Sequence, residues 1–126
     1  VGDCDRKIEP AKFFPAHWAP DALVFYRGSQ FPATYKGGAF IAFHGSWNRA
    51  PEPQEGYRVA FVPFANGTHQ GEYQTFANGF AGSPTPQPTT AKYRPAGLAL
   101  APDGSLYIGD DTHGRIWHVT YVGDKK

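Results

Sequence analysis

Turn residues placed between short apolar runs constrain the fold of this chain more than any other feature. In the last third, Pro102-Asp103-Gly104 precedes the apolar run 106–108, and Asp111-Thr112-His113-Gly114 separates that run from 115–119. Short apolar runs joined by such turns are typical of antiparallel strands connected by tight hairpins. Glycine and proline contribute 15 and 12 of the 126 residues, which favours many turns over long helices. The sequence therefore predicts an all-β fold.

The same pattern of three runs occurs earlier in the chain at longer spacing. The aligned segments are 20–25 with 95–100, 40–44 with 106–110, and 57–62 with 115–120. The earlier unit carries two insertions, 27–37 and 45–56, and residues 73–77 fit a fourth, outer strand. A repeated small sheet predicts β-propeller blades, here about two four-stranded antiparallel sheets.

The predicted organisation has five segments. They are an irregular leading segment 1–18, a blade 19–80 with two loop insertions, a Pro/Thr-rich loop 81–91, a second blade 92–121, and a polar tail 122–126. A propeller needs about four blades or more. We therefore expect the chain to be part of a larger ring or to assemble with further copies of itself. The absence of methionine suggests a piece cut from a longer protein.

Composition excludes some classes of function. The formal net charge is +1 and only 18% of residues are charged, so no electrostatic footprint for nucleic acid or an anionic membrane is present. No apolar stretch approaches the roughly 20 residues that span a bilayer. Cys4 is the single cysteine, either an inert thiol or the partner of a cysteine outside this sequence. Asn66-Gly67-Thr68 fits a glycosylation sequon, but Asn-Gly favours a turn.

Two polar clusters are candidate binding residues. The first follows the run 39–43 and comprises His44, Ser46, Trp47, Asn48 and Arg49. These side chains can hydrogen-bond a polar ligand while Trp47 offers a stacking plane. The alternatives are a merely structural loop and a nucleophilic serine, although no G-x-S-x-G elbow is present.

The second cluster is Lys92-Tyr93-Arg94. Residues two apart in an extended segment point to the same face, so Lys92 and Arg94 can converge on one carboxylate or phosphate while Tyr93 packs the other way. The alternative is two solvated surface cations.

Metal sites receive little support from the sequence. Asp110 and Asp111 could bind calcium or cap the following turn, and we favour the turn because too few ligands are nearby. The five histidines show no zinc-binding spacing, and His118 is expected to be packed within a strand or at its edge.

The motifs in these segments resemble a known family. Residues 14–20, 38–49, 94–98 and 115–116 look like the C-terminal part of the glucose/sorbosone dehydrogenases, with the sorbosone dehydrogenase-like branch closest. The resemblance covers nearly all of residues 13–121. It implies a six-bladed propeller that uses pyrroloquinoline quinone (PQQ) and calcium to oxidise sugars, exported to the periplasm or secreted.

The resemblance also implies roles for particular residues. Lys92 and Arg94 would hold the carboxylates of PQQ, with further contacts from His44 and Arg49, and Ser46, Trp47 and Asn48 would line the substrate mouth. The catalytic histidine and the main calcium ligands of the family are expected outside this chain, so no catalytic or metal residue is assigned here. The expected function is therefore a part of a PQQ-dependent sugar dehydrogenase, inactive alone. The alternatives are a non-catalytic module that binds carbohydrate or a protein partner, and a lactonase-type hydrolase.

Overall fold

Nine β-strands and one short 3-10 turn (Ala33–Tyr35) form the regular structure of the described part of the chain, residues 3 and 6–123, in this computed structural model. The strands are β1 (Pro20–Phe25), β2 (Ala39–Phe43), β3 (Arg58–Val62), β4 (Phe64–Ala65), β5 (Thr68–His69), β6 (Gln74–Ala77), β7 (Pro95–Leu100), β8 (Leu106–Asp110) and β9 (Ile116–Val119). The all-β prediction is confirmed. Within these residues, no helix has the length and apolar character needed to cross a membrane. Cys4 lies outside the described residues.

The first sheet has four antiparallel strands in the order β1-β2-β3-β6. Each strand falls close to a run predicted from the sequence, including the outer strand near 73–77. The third sheet has three antiparallel strands in the order β7-β8-β9. Between β3 and β6, the short strands β4 and β5 form a separate hairpin. Its turn is Asn66-Gly67, as predicted, and both residues have the positive φ values that tight hairpins require (52° and 77°).

The prediction of two four-stranded sheets from a six-bladed propeller is wrong. The described residues form sheets of four, two and three strands, and β9 is the edge of its sheet. After Val119 the chain leaves that sheet for the loop that follows β1. There the backbone N–H of Tyr121 donates to Oε1 of Gln30 at 2.9 Å. The finer division of the chain into segments at 18, 80, 91 and 121 stays a prediction.

The main core lies between the first and third sheets. Buried residues of both sheets meet there, together with Phe31 and Phe80 from the loops; they are Tyr26, Phe40, Ala42, Val59, Phe61, Leu106 and Ile108. Because side chains alternate along a strand, β2 and β3 have a second face. A second cluster covers it, in which Phe14 and Trp18 of the leading segment pack against Ile41, Phe43, Ala60 and Val62.

In the sequence, Tyr57, Val59 and Phe61 alternate with Arg58 and Ala60, which predicts a half-buried strand. The structure differs: four of the five residues of β3 are buried, including Ala60 on the face opposite Val59 and Phe61. The irregular leading segment covers that face, and nothing in its own periodicity showed where it would lie.

A buried hydroxyl joins the two large sheets at the end where β1 finishes. The hydroxyl of Tyr26 donates to the carbonyl of Gly104 at 3.0 Å and accepts the N–H of Phe31 at 2.8 Å. Gly28 packs against Gly104 so closely that a Cβ would lie 2.7 Å from its Cα. The hairpin between β7 and β8 is thereby fixed onto the loop after β1.

Candidate functional site

The polar residues singled out from the sequence gather at the opposite end of the two sheets. In the backbone pairing, Pro20 of β1 faces Phe43 of β2, and Pro95 of β7 faces Asp110 of β8. His44 therefore leaves β2 near the point where Arg94 enters β7 and where Asp111 follows β8. These last three residues are brought together by the packing of the sheets.

Arg94 connects the sheets at this end. Its Nε donates to the carbonyl of His44 at 3.0 Å, and its Nη2 donates to the carbonyl of Gly45 at 2.8 Å. The guanidinium carbon lies 5.4 Å from the centre of the Tyr57 ring, and the residue is only 8% exposed. No carboxylate of the described chain lies within 4 Å of this cation. Carbonyl dipoles and one aromatic face therefore stabilise a buried positive charge.

Tyr57 forms the floor beneath Arg94. Its hydroxyl donates to the carbonyl of Ser46 at 2.7 Å. Gly45, with φ of 94°, lies directly against the ring, and a Cβ there would come within 2.3 Å of it. Burial raises the pKa of Tyr57 above its ordinary value of 10.0, while the charge of Arg94 and the hydrogen bond to Ser46 oppose the rise. The phenol therefore stays protonated at neutral pH and acts as a donor.

Asp110 organises the turn after β8. One carboxylate oxygen accepts the N–H groups of Arg94 at 2.7 Å and Thr112 at 3.3 Å, and the other accepts the N–H of His113 at 2.8 Å. Burial raises the pKa of Asp110, but these backbone hydrogen bonds outweigh it, so the pKa lies below its ordinary value of 3.8. This geometry is the capped turn that the sequence favoured over a calcium ligand.

His44 pairs with Asp111 across the gap between the sheets. The His44 Nε2 lies 2.9 Å from Oδ1 of Asp111, and both side chains keep contact with solvent. The pair is the accessible part of this end of the molecule, whereas Arg94 and Asp110 are buried beneath it.

Lys92 and Arg94 lie in different surroundings. Both precede β7 instead of lying within a strand. Lys92 is exposed, with its ammonium 5.5 Å from the centre of the Tyr93 ring, whereas Arg94 is buried. Tyr93 packs on Trp117 at the edge of the main core. Convergence of the two cations on one anion stays a prediction.

The loop 45–57 is held together by two of the residues predicted as ligand contacts. Ser46 is 1% exposed, donates to Oε1 of Gln54 at 2.6 Å and accepts the N–H of Glu55 at 2.8 Å. Arg49 donates to the carbonyl of Pro53 at 2.6 Å and lies 3.3 Å from the Glu55 carboxylate. These contacts brace the loop from within.

Trp47 and Asn48 are the side chains that this braced loop presents to solvent. Trp47 is 67% exposed, and Asn48 is exposed beside it. The sequence predicts Tyr57 only as part of a strand, whereas in the structure it lies in the loop just before β3. The glycine at Gly56, with φ of 103°, was the one local signal that the chain turns sharply before β3.

Metal binding finds no ready set of ligands here. Among residues 3 and 6–123, no three His, Cys, Asp or Glu side chains group in a way that could hold an ion. Both oxygens of Asp110 already accept backbone N–H groups, and Asp111 faces His44.

The amino-acid sequence of the chain is similar to parts of two longer proteins. It is 37% identical over 109 residues to an uncharacterized protein of Borreliella burgdorferi, covering 85% of this chain and 27% of that protein. It is 28% identical over 131 residues to a pyrroloquinoline quinone-dependent pyranose dehydrogenase of Coprinopsis cinerea, covering 87% of this chain and 16% of the enzyme. The chain thus spans about a quarter or less of these relatives.

A solved structure gives the same answer at the level of the fold. The calcium structure of the Trichoderma reesei carbohydrate-active enzyme of family AA12 matches with a TM-score of 0.71 and 27% identity, covering 90% of this chain and 27% of that one. A family model described as TrAA12-like matches residues 2–122. The glucose/sorbosone dehydrogenase family is not confirmed, and the AA12 likeness replaces the predicted pair of four-stranded propeller blades. The chain belongs to the TrAA12-like family.

Proposed function

We propose that this chain forms part of a quinoprotein sugar oxidoreductase and contributes a cationic edge to its PQQ site. The similarity to a PQQ-dependent pyranose dehydrogenase supports the class of enzyme. The observation that carries the proposal is the pair of cations before β7. Within the described residues, neither Lys92 nor Arg94 has a carboxylate within 4 Å, so no acidic side chain neutralises either charge, and Lys92 is exposed to a ligand.

The chemistry of these residues fits a ligand with several carboxylates. Lys92 offers an exposed ammonium with three donors. Arg94 uses Nε and Nη2 on two carbonyls, and its Nη1 has no hydrogen bond to the described residues. Arg49 fits less well because Glu55 neutralises its charge, so we assign it to the loop.

The remaining residues would shape access to the site. PQQ, when bound, accepts the electrons released as the sugar is oxidised. Lys92 would hold its negative charge in place, His44 would offer a polar contact from the end of β2, and Trp47 with Asn48 would line the approach of the sugar. No residue of this chain is assigned as the catalytic base. Calcium finds no fitting ligands here, and we place no step through it.

Location and partners follow from the same proposal. A pyranose would be the substrate, and the rest of a longer polypeptide or further copies of the chain would complete the site. We propose that the protein acts in the periplasm or outside the cell.

Titration with PQQ tests the proposal on the natural polypeptide that carries this sequence. We expect binding by wild type and reduction of a dye in the presence of a pyranose. Lys92→Ala should raise the dissociation constant for PQQ by about ten- to a hundredfold, because a charged hydrogen bond contributes about 1.5–3 kcal/mol. Lys92→Arg should retain most of the affinity, and Lys36→Ala, which removes an exposed lysine of another loop, should change nothing.

The outcomes of this titration distinguish the quinoprotein proposal from its alternatives. Failure of wild type to bind PQQ refutes the quinoprotein proposal. Binding without reduction by any pyranose would favour a non-catalytic role. Equal affinity in wild type and Lys92→Ala would show that Lys92 does not touch the cofactor.

A further inference from the structure

A groove of about 820 Å³ lies between two loops, residues 53–58 and 78–87. This volume is within the roughly 300–1,000 Å³ typical of small-molecule sites. The first wall is the returning limb of the braced loop, and the second comes from the Pro/Thr-rich segment before β7. Lys92 and Arg94 are not among its lining residues, but they lie against Gly82 and Tyr57, which are, so the groove adjoins the cationic edge.

Neutral hydrogen-bonding groups face this groove. The exposed amides of Asn78 and Gln87 make no side-chain hydrogen bond to the residues that the structure describes. Ser83 and Thr85 bond with each other, their oxygens 3.4 Å apart. Gln54 is fixed by the hydroxyl of Ser46, which leaves its NH₂ group available. Several donors and acceptors therefore lack any competing partner within the described chain.

The charged residues of the groove are already engaged. Glu55 accepts the indole N–H of Trp18 at 3.2 Å and pairs with Arg49. Arg58 donates to the carbonyl of Gly56 at 2.9 Å and to the hydroxyl of Thr75 at 3.1 Å, and it stacks on the Trp18 ring. The lining holds one carboxylate, Glu55, and one guanidinium, Arg58, so it carries no net charge. The groove suits an uncharged ligand.

The walls between these polar groups are apolar and stiff. Pro53, Pro84 and Pro86 offer C–H surfaces, and proline rings lose little freedom on binding. At the floor, Gly56 packs on Gly45, where a Cβ would lie 2.7 Å from the neighbouring Cα. The groove is thus largely preformed.

We infer that this groove binds a neutral saccharide chain. Amides and hydroxyls would bond its hydroxyl groups, and the proline faces would pack on the C–H faces of its rings. This inference goes beyond the proposed function and needs no PQQ, so the two can fail separately.

Amide chemical shifts of the full chain test it, in titrations with cellotetraose, xylotetraose, maltotetraose and chitotetraose and with tetragalacturonate as the anionic probe. We expect at least one neutral tetrasaccharide to shift amides of 53–58 and 78–87, and tetragalacturonate to bind more weakly. The double variant Asn78→Ala/Gln87→Ala should raise the dissociation constant about tenfold, since each hydrogen bond contributes a few-fold. Gln70→Ala, an exposed glutamine near the β4–β5 hairpin, is the matched control.

Three results of the titrations with the wild-type chain would overturn the inference. These are no shift with any of the four neutral sugars, shifts confined to other residues, and tetragalacturonate binding as tightly as the neutral sugars. Unchanged affinity in the double variant would overturn it as well. Both altered side chains are exposed, so the double variant is expected to fold, and its amide spectrum shows whether it does.

Discussion

Arg94 is expected to stabilise the joint between the two large sheets, and Arg94→Ala should show this as a loss of stability. The change removes two charged hydrogen bonds, each of which contributes about 1.5–3 kcal/mol. It also removes the contact with the Tyr57 ring. We therefore expect a cost of about 3 kcal/mol, at the low end of the sum.

Urea unfolding followed by tryptophan fluorescence measures this cost. With an m value of about 1–3 kcal/mol/M, the midpoint should fall by roughly 1–3 M while m stays unchanged. Arg94→Lys should lose about half as much free energy of unfolding as Arg94→Ala, because an ammonium lacks the planar fork that reaches both carbonyls. Arg27→Ala removes an exposed arginine and should cost no more than about 0.5 kcal/mol.

The result that refutes the reasoning is equality of Arg94→Ala and Arg27→Ala. The guanidinium would then contribute nothing to the joint, and its burial would have to serve another purpose. A loss in Arg94→Lys as large as in Arg94→Ala would instead show that shape alone, and not charge, matters at this position.

Two further changes test the surroundings of Arg94. Asp110→Asn should lower the free energy of unfolding by about 1–2 kcal/mol at pH 7. Because the folded pKa of Asp110 is lowered, the contribution of its carboxylate is complete above the ordinary value of 3.8 and is lost as pH falls through the folded value. The unfolding midpoints of wild type and variant should therefore converge below about pH 4, and a constant gap would contradict the assignment. The loss of stability in Gly45→Ala should exceed that in Gly67→Ala by about 2 kcal/mol in the same assay. Both glycines have positive φ, but only a Cβ at Gly45 would clash with Tyr57, so equal losses would refute the close packing.

Local turn chemistry explains why the strands could be predicted. Asn66-Gly67 and Pro102-Asp103-Gly104 require particular backbone conformations; the first closes the short β4–β5 hairpin and the second joins β7 to β8. The number of strands in each sheet, in contrast, depends on contacts between residues that are distant in sequence. Whether a fourth strand follows β9 depends on where residues 120–123 find partners, and Gln30, about ninety residues earlier, supplies one.

In the candidate site too, local sequence predicted some features, while others depend on contacts that the sequence does not show. The sequence indicated His44, Lys92 and Arg94 as candidate binding residues; in the structure His44 follows β2 and the other two precede β7. It did not predict that Arg94 is buried on carbonyls, or that Ser46 bonds within its loop, because both depend on the path of residues 45–57. The same-face rule for Lys92 and Arg94 also assumed a strand, whereas β7 begins only at Pro95.

The hydroxyl of Tyr26 has a consequence for the order in which the chain folds. Its partner Gly104 lies 78 residues away, and the carbonyls that Arg94 meets lie about 50 residues before it. The four-stranded sheet is complete in sequence at Ala77, yet one of its apolar faces is covered only by β7 and β8. Such distant closure is slow, and a nascent chain exposes this face until β7 and β8 leave the ribosome. Chaperone dependence during synthesis would therefore concentrate on the interval between residues 77 and 110.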